Sequence, residues 1–79
     1  MRTMEFKMER KELLSVVKPG EVLPIKEYKI SNNYYYVLGH SYAMSANFPV
    51  TERLKSKEGT VSDINDTPKG YFVIMQFDE

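Results

Sequence analysis

The chain has 79 residues, 42% of them hydrophobic and 28% charged, with eleven Lys and Arg balanced by eleven Asp and Glu and no Cys or Trp. Such a length suits one small domain over residues 1–79, without disulfide or thiolate metal site to reinforce its core, and leaves little room for a catalytic scaffold. Zero net charge weighs against a strongly basic nucleic-acid binder.

The first ten residues contain no apolar run of the kind a signal peptide needs. The longest apolar runs, 34–38 and 71–75, fall far short of the roughly 20 residues that span a bilayer, so no membrane partner is expected. Absence of Cys suits a reducing compartment, and the expected location is the cytoplasm.

In chain order, Met4, Phe6 and Met8 alternate with Thr3, Glu5 and Lys7, the period-two pattern of a half-buried strand. From Glu9 the pattern changes. Leu13, Leu14, Val16 and Val17 make one apolar stripe of a short helix, expected over about 9–18 and stopped by Lys18, Pro19 and Gly20. Val22, Ile25, Tyr28 and Ile30 mark an extended segment in which Pro24, lacking an amide hydrogen, points to an edge or a bulge. Ser31, Asn32 and Asn33 read as a turn leading into a β-rich run at 34–38.

Beyond Gly39, the residues Tyr42, Met44, Ala46 and Phe48 suggest a third alternating segment, followed at 49–56 by an extended loop or one helical turn capped by Thr51. Gly59, Thr60, Val61 and Ile64 then form a strand, 65–70 a turn, and 71–77 the returning strand. That last strand is apolar on both faces, with Tyr71, Val73, Met75 and Phe77 on one and Phe72 and Ile74 on the other. Cover for the second face is expected from the short helix. The fold class is therefore mainly β (α+β): a small curled antiparallel sheet or SH3-like barrel with one short N-terminal helix.

Gly59-Thr60-Val61 with Ile64, a turn and the alternating strand that follows resemble the KOW-type hairpin of SH3-like small β-barrels, over residues 59–77. The resemblance implies a module without catalytic residues of its own, used in ribosome and transcription machinery and in protein contacts. KOW-type segments that touch RNA carry basic residues around the glycine and the following loop, whereas Asp63 and Asp66 here accompany a single Lys69. That departure favours a protein partner over nucleic acid.

Chemistry-bearing constellations are sparse. His40 and Ser41 are adjacent, so on a strand they point to opposite faces and are poorly placed to share a proton. A calcium loop beginning at Asp63 would need Gly where Pro68 stands and Glu where Ile74 stands. With one His and no Cys a zinc ligand set cannot be assembled, and the four glycines are too dispersed for a phosphate loop. No catalytic residue, metal or cofactor is expected.

Two features stand out as candidate binding elements. Tyr34 and Tyr36 share one side of a strand and Tyr35 the other; at least one side is expected to be partly exposed, and an exposed tyrosine pair is a platform for anchoring a protein or stacking a base. Arg53, Lys55 and Lys57 are spaced by two, which aligns them on one face of an extended segment. The reading placed first is a non-catalytic module that binds a protein partner through exposed tyrosines and the charged loop. The alternative is a nucleic-acid-binding module using Arg53, Lys55 and Lys57 with tyrosine stacking. Self-association through an edge strand is also compatible with so small a domain.

Overall fold

The period-two alternation at the start becomes strand β1 (Arg2–Met8), which buries Met4, Phe6 and Met8 and exposes Thr3, Glu5 and Lys7. In the computed structural model, which describes residues 1–15 and 17–79, six further strands follow: β2 (Val22–Ile30), β3 (Asn33–Leu38), β4 (Ala43–Met44), β5 (Phe48–Pro49), β6 (Glu58–Thr67) and β7 (Gly70–Phe77). All pairings are antiparallel.

Six strands form a ring in the order β2, β6, β7, β1, β4, β3, and the β2–β3 pairing closes it into a small barrel. Strand β5 lies outside the ring, on the edge of β3 that it shares with β4. The narrowest seam is between β1 and β4, joined only by the pair Lys7↔Met44. In β6 a bulge between Val61 and Asp63 bends the strand, the usual device by which a sheet turns a barrel corner.

The barrel interior is the core. Phe6, Met8, Tyr36, Leu38, Val61, Val73, Met75 and Phe77 all fall below 2% exposure there. Leu14 and Val17 pack against this cluster from the segment joining β1 to β2, and Leu54 from the segment joining β5 to β6.

Several expectations need correction. Among the described residues there is no α-helix; the stretch read as a helix over 9–18 forms a five-residue 3-10 helix, Lys11–Ser15, and Val16 lies outside the described residues. The cause is chain length. Gly20 donates to the Val61 carbonyl at 2.7 Å and Glu21 accepts from the Val61 amide at 2.8 Å, so the connector is already tied to β6 soon after Lys18. What remains is too short to repay helix nucleation. Phe72 and Ile74 therefore have no helical cover, and they lie half-buried on the outside of the barrel.

The turn read at 65–70 shrinks to Pro68 and Lys69, because Asn65 and Asp66 pair with Phe72 and Tyr71 and extend the hairpin. The third alternating segment is broken into β4 and β5, which puts Met44 outside at 52% exposure while Phe48 packs against the core. Thr51 lies inside a 3-10 turn, Val50–Glu52, and caps nothing. Pro24 sits where β2 changes partner: its carbonyl accepts from Gly39 at 2.8 Å, just past the last β2–β3 pair, Ile25↔Leu38. Its missing amide hydrogen thus falls beyond that ladder and leaves no gap in it.

Candidate functional site

The β2–β3 hairpin turns on Ser31 and Asn32, with Ser31 in the left-handed region at φ 54°. That tight turn fixes the register Ile30↔Asn33, and from it Glu27↔Tyr36 and Tyr28↔Tyr35. Alternation then sends Tyr34 and Tyr36 to one side of β3 and Tyr35 to the other.

The shared side is the inner one. Tyr36, a candidate binding tyrosine, is only 1% exposed, because its ring occupies the end of the barrel beside Phe48 and Leu54. Its hydroxyl donates to Glu27 Oε2 at 2.9 Å and accepts from the Leu54 amide at 2.6 Å. Burial raises the pKa of this phenol; the Leu54 amide pulls against it by less, and the Glu27 carboxylate adds to the rise. Tyr34 is half-buried, with the Arg53 guanidinium carbon 4.7 Å from its ring centroid. The aromatic pair that faces outward is Tyr28 with Tyr35, stacked at 5.3 Å and 15°, with Tyr28 42% exposed.

Arg53 grips Glu27 with two parallel bonds, Nε to Oε2 at 2.8 Å and Nη2 to Oε1 at 2.6 Å. The bond from Arg53 is the main reason the Glu27 carboxyl is held below its ordinary value, with the Tyr36 hydroxyl adding to it against the cost of burial. The sequence reading thus brought together Tyr34, Tyr36 and Arg53, which the structure also gathers, but into an internal clamp that ties the β5–β6 connector to the barrel.

Lys55 and Lys57 extend from the same connector as Arg53, with Leu54, between Arg53 and Lys55, turned inward and 5% exposed. The three basic residues line an open groove of about 740 Å³ together with Ile25, Glu27, Tyr36 and Leu54. Among the described residues no carboxylate lies within ion-pair distance of Lys55 or Lys57.

Sequence reasoning missed four contributors. Glu27 was legible in principle, since counting back from the hairpin turn places it opposite Tyr36. Ser56 and Glu79 carried no signal: the Glu79 carboxylate reaches back to the connector, accepting from the Lys55 amide at 3.0 Å, the Ser56 amide at 2.8 Å and Ser56 Oγ at 2.7 Å. Arg2 links the same end of the barrel, donating to the Glu52 carbonyl at 2.6 Å and standing 3.5 Å from Glu79 Oε1.

His40 is exposed on the β3–β4 turn, edge-on to Tyr42 at 6.1 Å. Among the described residues no three His, Asp or Glu side chains gather in a way that could hold a metal ion, and no helix is long and apolar enough to cross a membrane.

The chain matches no family model, no curated protein and no solved structure. The architecture is that of a small closed antiparallel β-barrel presenting exposed aromatic and charged residues, a form compatible with many interaction modules.

Proposed function

We propose that this chain is a non-catalytic, cytoplasmic interaction module that takes a protein partner in the groove beneath the β5–β6 connector. The observation that carries the reading is the groove itself. It joins apolar surface from Ile25, Val50 and Leu54 to two lysines with no ion-pair partner among the described residues, and a concave site of mixed character suits a peptide segment. The β6–β7 hairpin, with its resemblance to KOW-type segments, supports an adaptor role of this kind.

Nucleic acid is the weaker reading. Arg53 has its guanidinium fork committed to Glu27, and Tyr36 is buried, so two of the groups that would contact phosphate and base are already engaged. An edge contact between copies of the chain through β5 would meet Pro49, one of its two residues, and finds little backbone for pairing there.

The test is selection of a random displayed peptide library on the protein, then mapping of enriched peptides by amide chemical shifts. Shifts at residues 50–57 that disappear in a Lys55→Ala, Lys57→Ala variant would support the groove. Failure to enrich any peptide, together with oligonucleotide binding that weakens steeply as salt rises, would overturn the reading in favour of nucleic acid.

A further inference from the structure

Two consecutive backbone amides and one hydroxyl of the β5–β6 connector, those of Lys55 and Ser56, converge on a single oxygen, Oε2 of Glu79, at 3.0, 2.8 and 2.7 Å. Arg2 stands 3.5 Å from the other oxygen. Every group aimed at the carboxylate is a donor. Successive amides pointing into one concavity form an anion-receptive arrangement, and the planar guanidinium beside them suits a carboxylate.

Lys55 and Ser56 also line the groove, so this cradle adjoins it. Its present occupant is the side chain of a residue beyond the end of β7, held otherwise by one local bond, Glu79 N–H to the Phe77 carbonyl at 2.9 Å. We propose that the Lys55–Ser56 turn is a carboxylate-recognition site, filled in cis by Glu79, into which the partner of the groove places an acidic side chain.

This inference rests on the groove reading and deepens it by naming the partner's chemistry: an extended acidic segment. One carboxylate enters the cradle as Glu79 leaves it, and neighbouring acidic groups meet Lys55 and Lys57. Because Glu79 must be displaced, the apparent affinity of the wild-type chain is reduced by the fraction of molecules in which it occupies the cradle. A cradle about nine-tenths filled would weaken binding about tenfold.

The experiment titrates isotopically labelled full chain with tri-glutamate peptide blocked at both ends, comparing wild type, Glu79→Ala and Glu79→Gln. The Gln variant keeps the shape of the side chain, so it serves if the Ala variant loses its fold, which spectral dispersion reports. The expected result is movement of the Lys55 and Ser56 amides at about tenfold lower peptide concentration in Glu79→Ala than in wild type. Replacing Arg2 by Ala in that background should weaken the response.

If the groove amides of Val50 and Thr51 respond equally in all three chains while Lys55 and Ser56 stay still, the cradle is only an anchor and the inference is overturned, though the groove reading survives. If peptides enriched by display map to the groove and yet tri-glutamate moves nothing in a folded variant, the acidic chemistry is wrong. If no peptide of either kind binds, both readings fall together.

Discussion

The hydroxyl of Tyr36 accepts a hydrogen bond from the Leu54 amide at 2.6 Å across 18 residues of chain, one of the contacts that seat the β5–β6 connector over the end of the barrel. Removing the hydroxyl while keeping the ring isolates its contribution. In Tyr36→Phe the buried amide of Leu54 loses its partner and Glu27 loses a donor, so the variant should be less stable by about 1–3 kcal/mol. Chemical denaturation would measure this. A variant as stable as wild type would mean that water replaces the phenol and that the connector is held chiefly by Arg53 and Glu79.

A second prediction concerns a close approach. A Cβ added to Gly59 would lie 2.5 Å from Phe77 Cε1 and 2.9 Å from the Gln76 carbonyl oxygen, well inside ordinary contact. The neighbour that must yield is a fully buried ring, itself tilted against Phe6 at 6.4 Å, together with backbone of the paired strand. Gly59→Ala should therefore cost about 1–3 kcal/mol by overpacking. Its signature would be displaced aromatic resonances of Phe77 and Phe6. Unchanged resonances and an unchanged denaturation midpoint would show that the ring relaxes freely.

Much of this barrel was legible in two paired strands, β1 and β7. Met4, Phe6 and Met8 on one, and Val73, Met75 and Phe77 on the other, announce an inner face without reference to the rest of the chain. The closure was not legible. It depends on β2 meeting β6 through Val22, Leu23 and Pro24 and on β1 meeting β4 at one residue, pairings remote in sequence with no local pattern. The same limit explains the tyrosines. Alternation placed Tyr34 and Tyr36 on one side but could not say that this side was the interior, because Tyr35 is equally suited to either. The helix failed for a different reason: an apolar stripe was present, but the connector between β1 and the tie of Gly20 to β6 is too short to repay helix nucleation.

Interior and exterior aromatics should respond to truncation by very different amounts. Phe6 is fully buried in the barrel, and Phe6→Ala should cost about 3–5 kcal/mol, a large part of the roughly 5–15 kcal/mol that holds a domain folded. Tyr28, on the outside and stacked on Tyr35, should cost only about 0.5–1.5 kcal/mol when changed to Ala. Urea midpoints of the two variants would separate them. A Tyr28→Ala loss comparable to that of Phe6→Ala would place the outer stack among the structural supports of the β2–β3 hairpin.

Acid should loosen the connector before it unfolds the barrel. Glu27 is held below its ordinary value of 4.5 chiefly by the bonds from Arg53. At Glu79 burial pulls the other way, but the Ser56 hydroxyl, the Ser56 and Lys55 amides and the Arg2 charge together outweigh it and leave that carboxyl below 4.5 as well. The unfolded chain therefore takes up these two protons at higher pH than the folded one, so their contribution to stability is complete above the ordinary carboxylate value and is lost as pH falls through the lowered values. Both groups keep contact with solvent, which makes the contribution modest and salt-sensitive. For the part due to these two groups, the melting temperature should be flat between about pH 7 and about pH 5 and fall below that. In a Glu27→Gln, Glu79→Gln chain the acid limb should be shallower, because the two linked protons are gone. Equal acid limbs in the two proteins would show that neither carboxylate is held as its geometry implies.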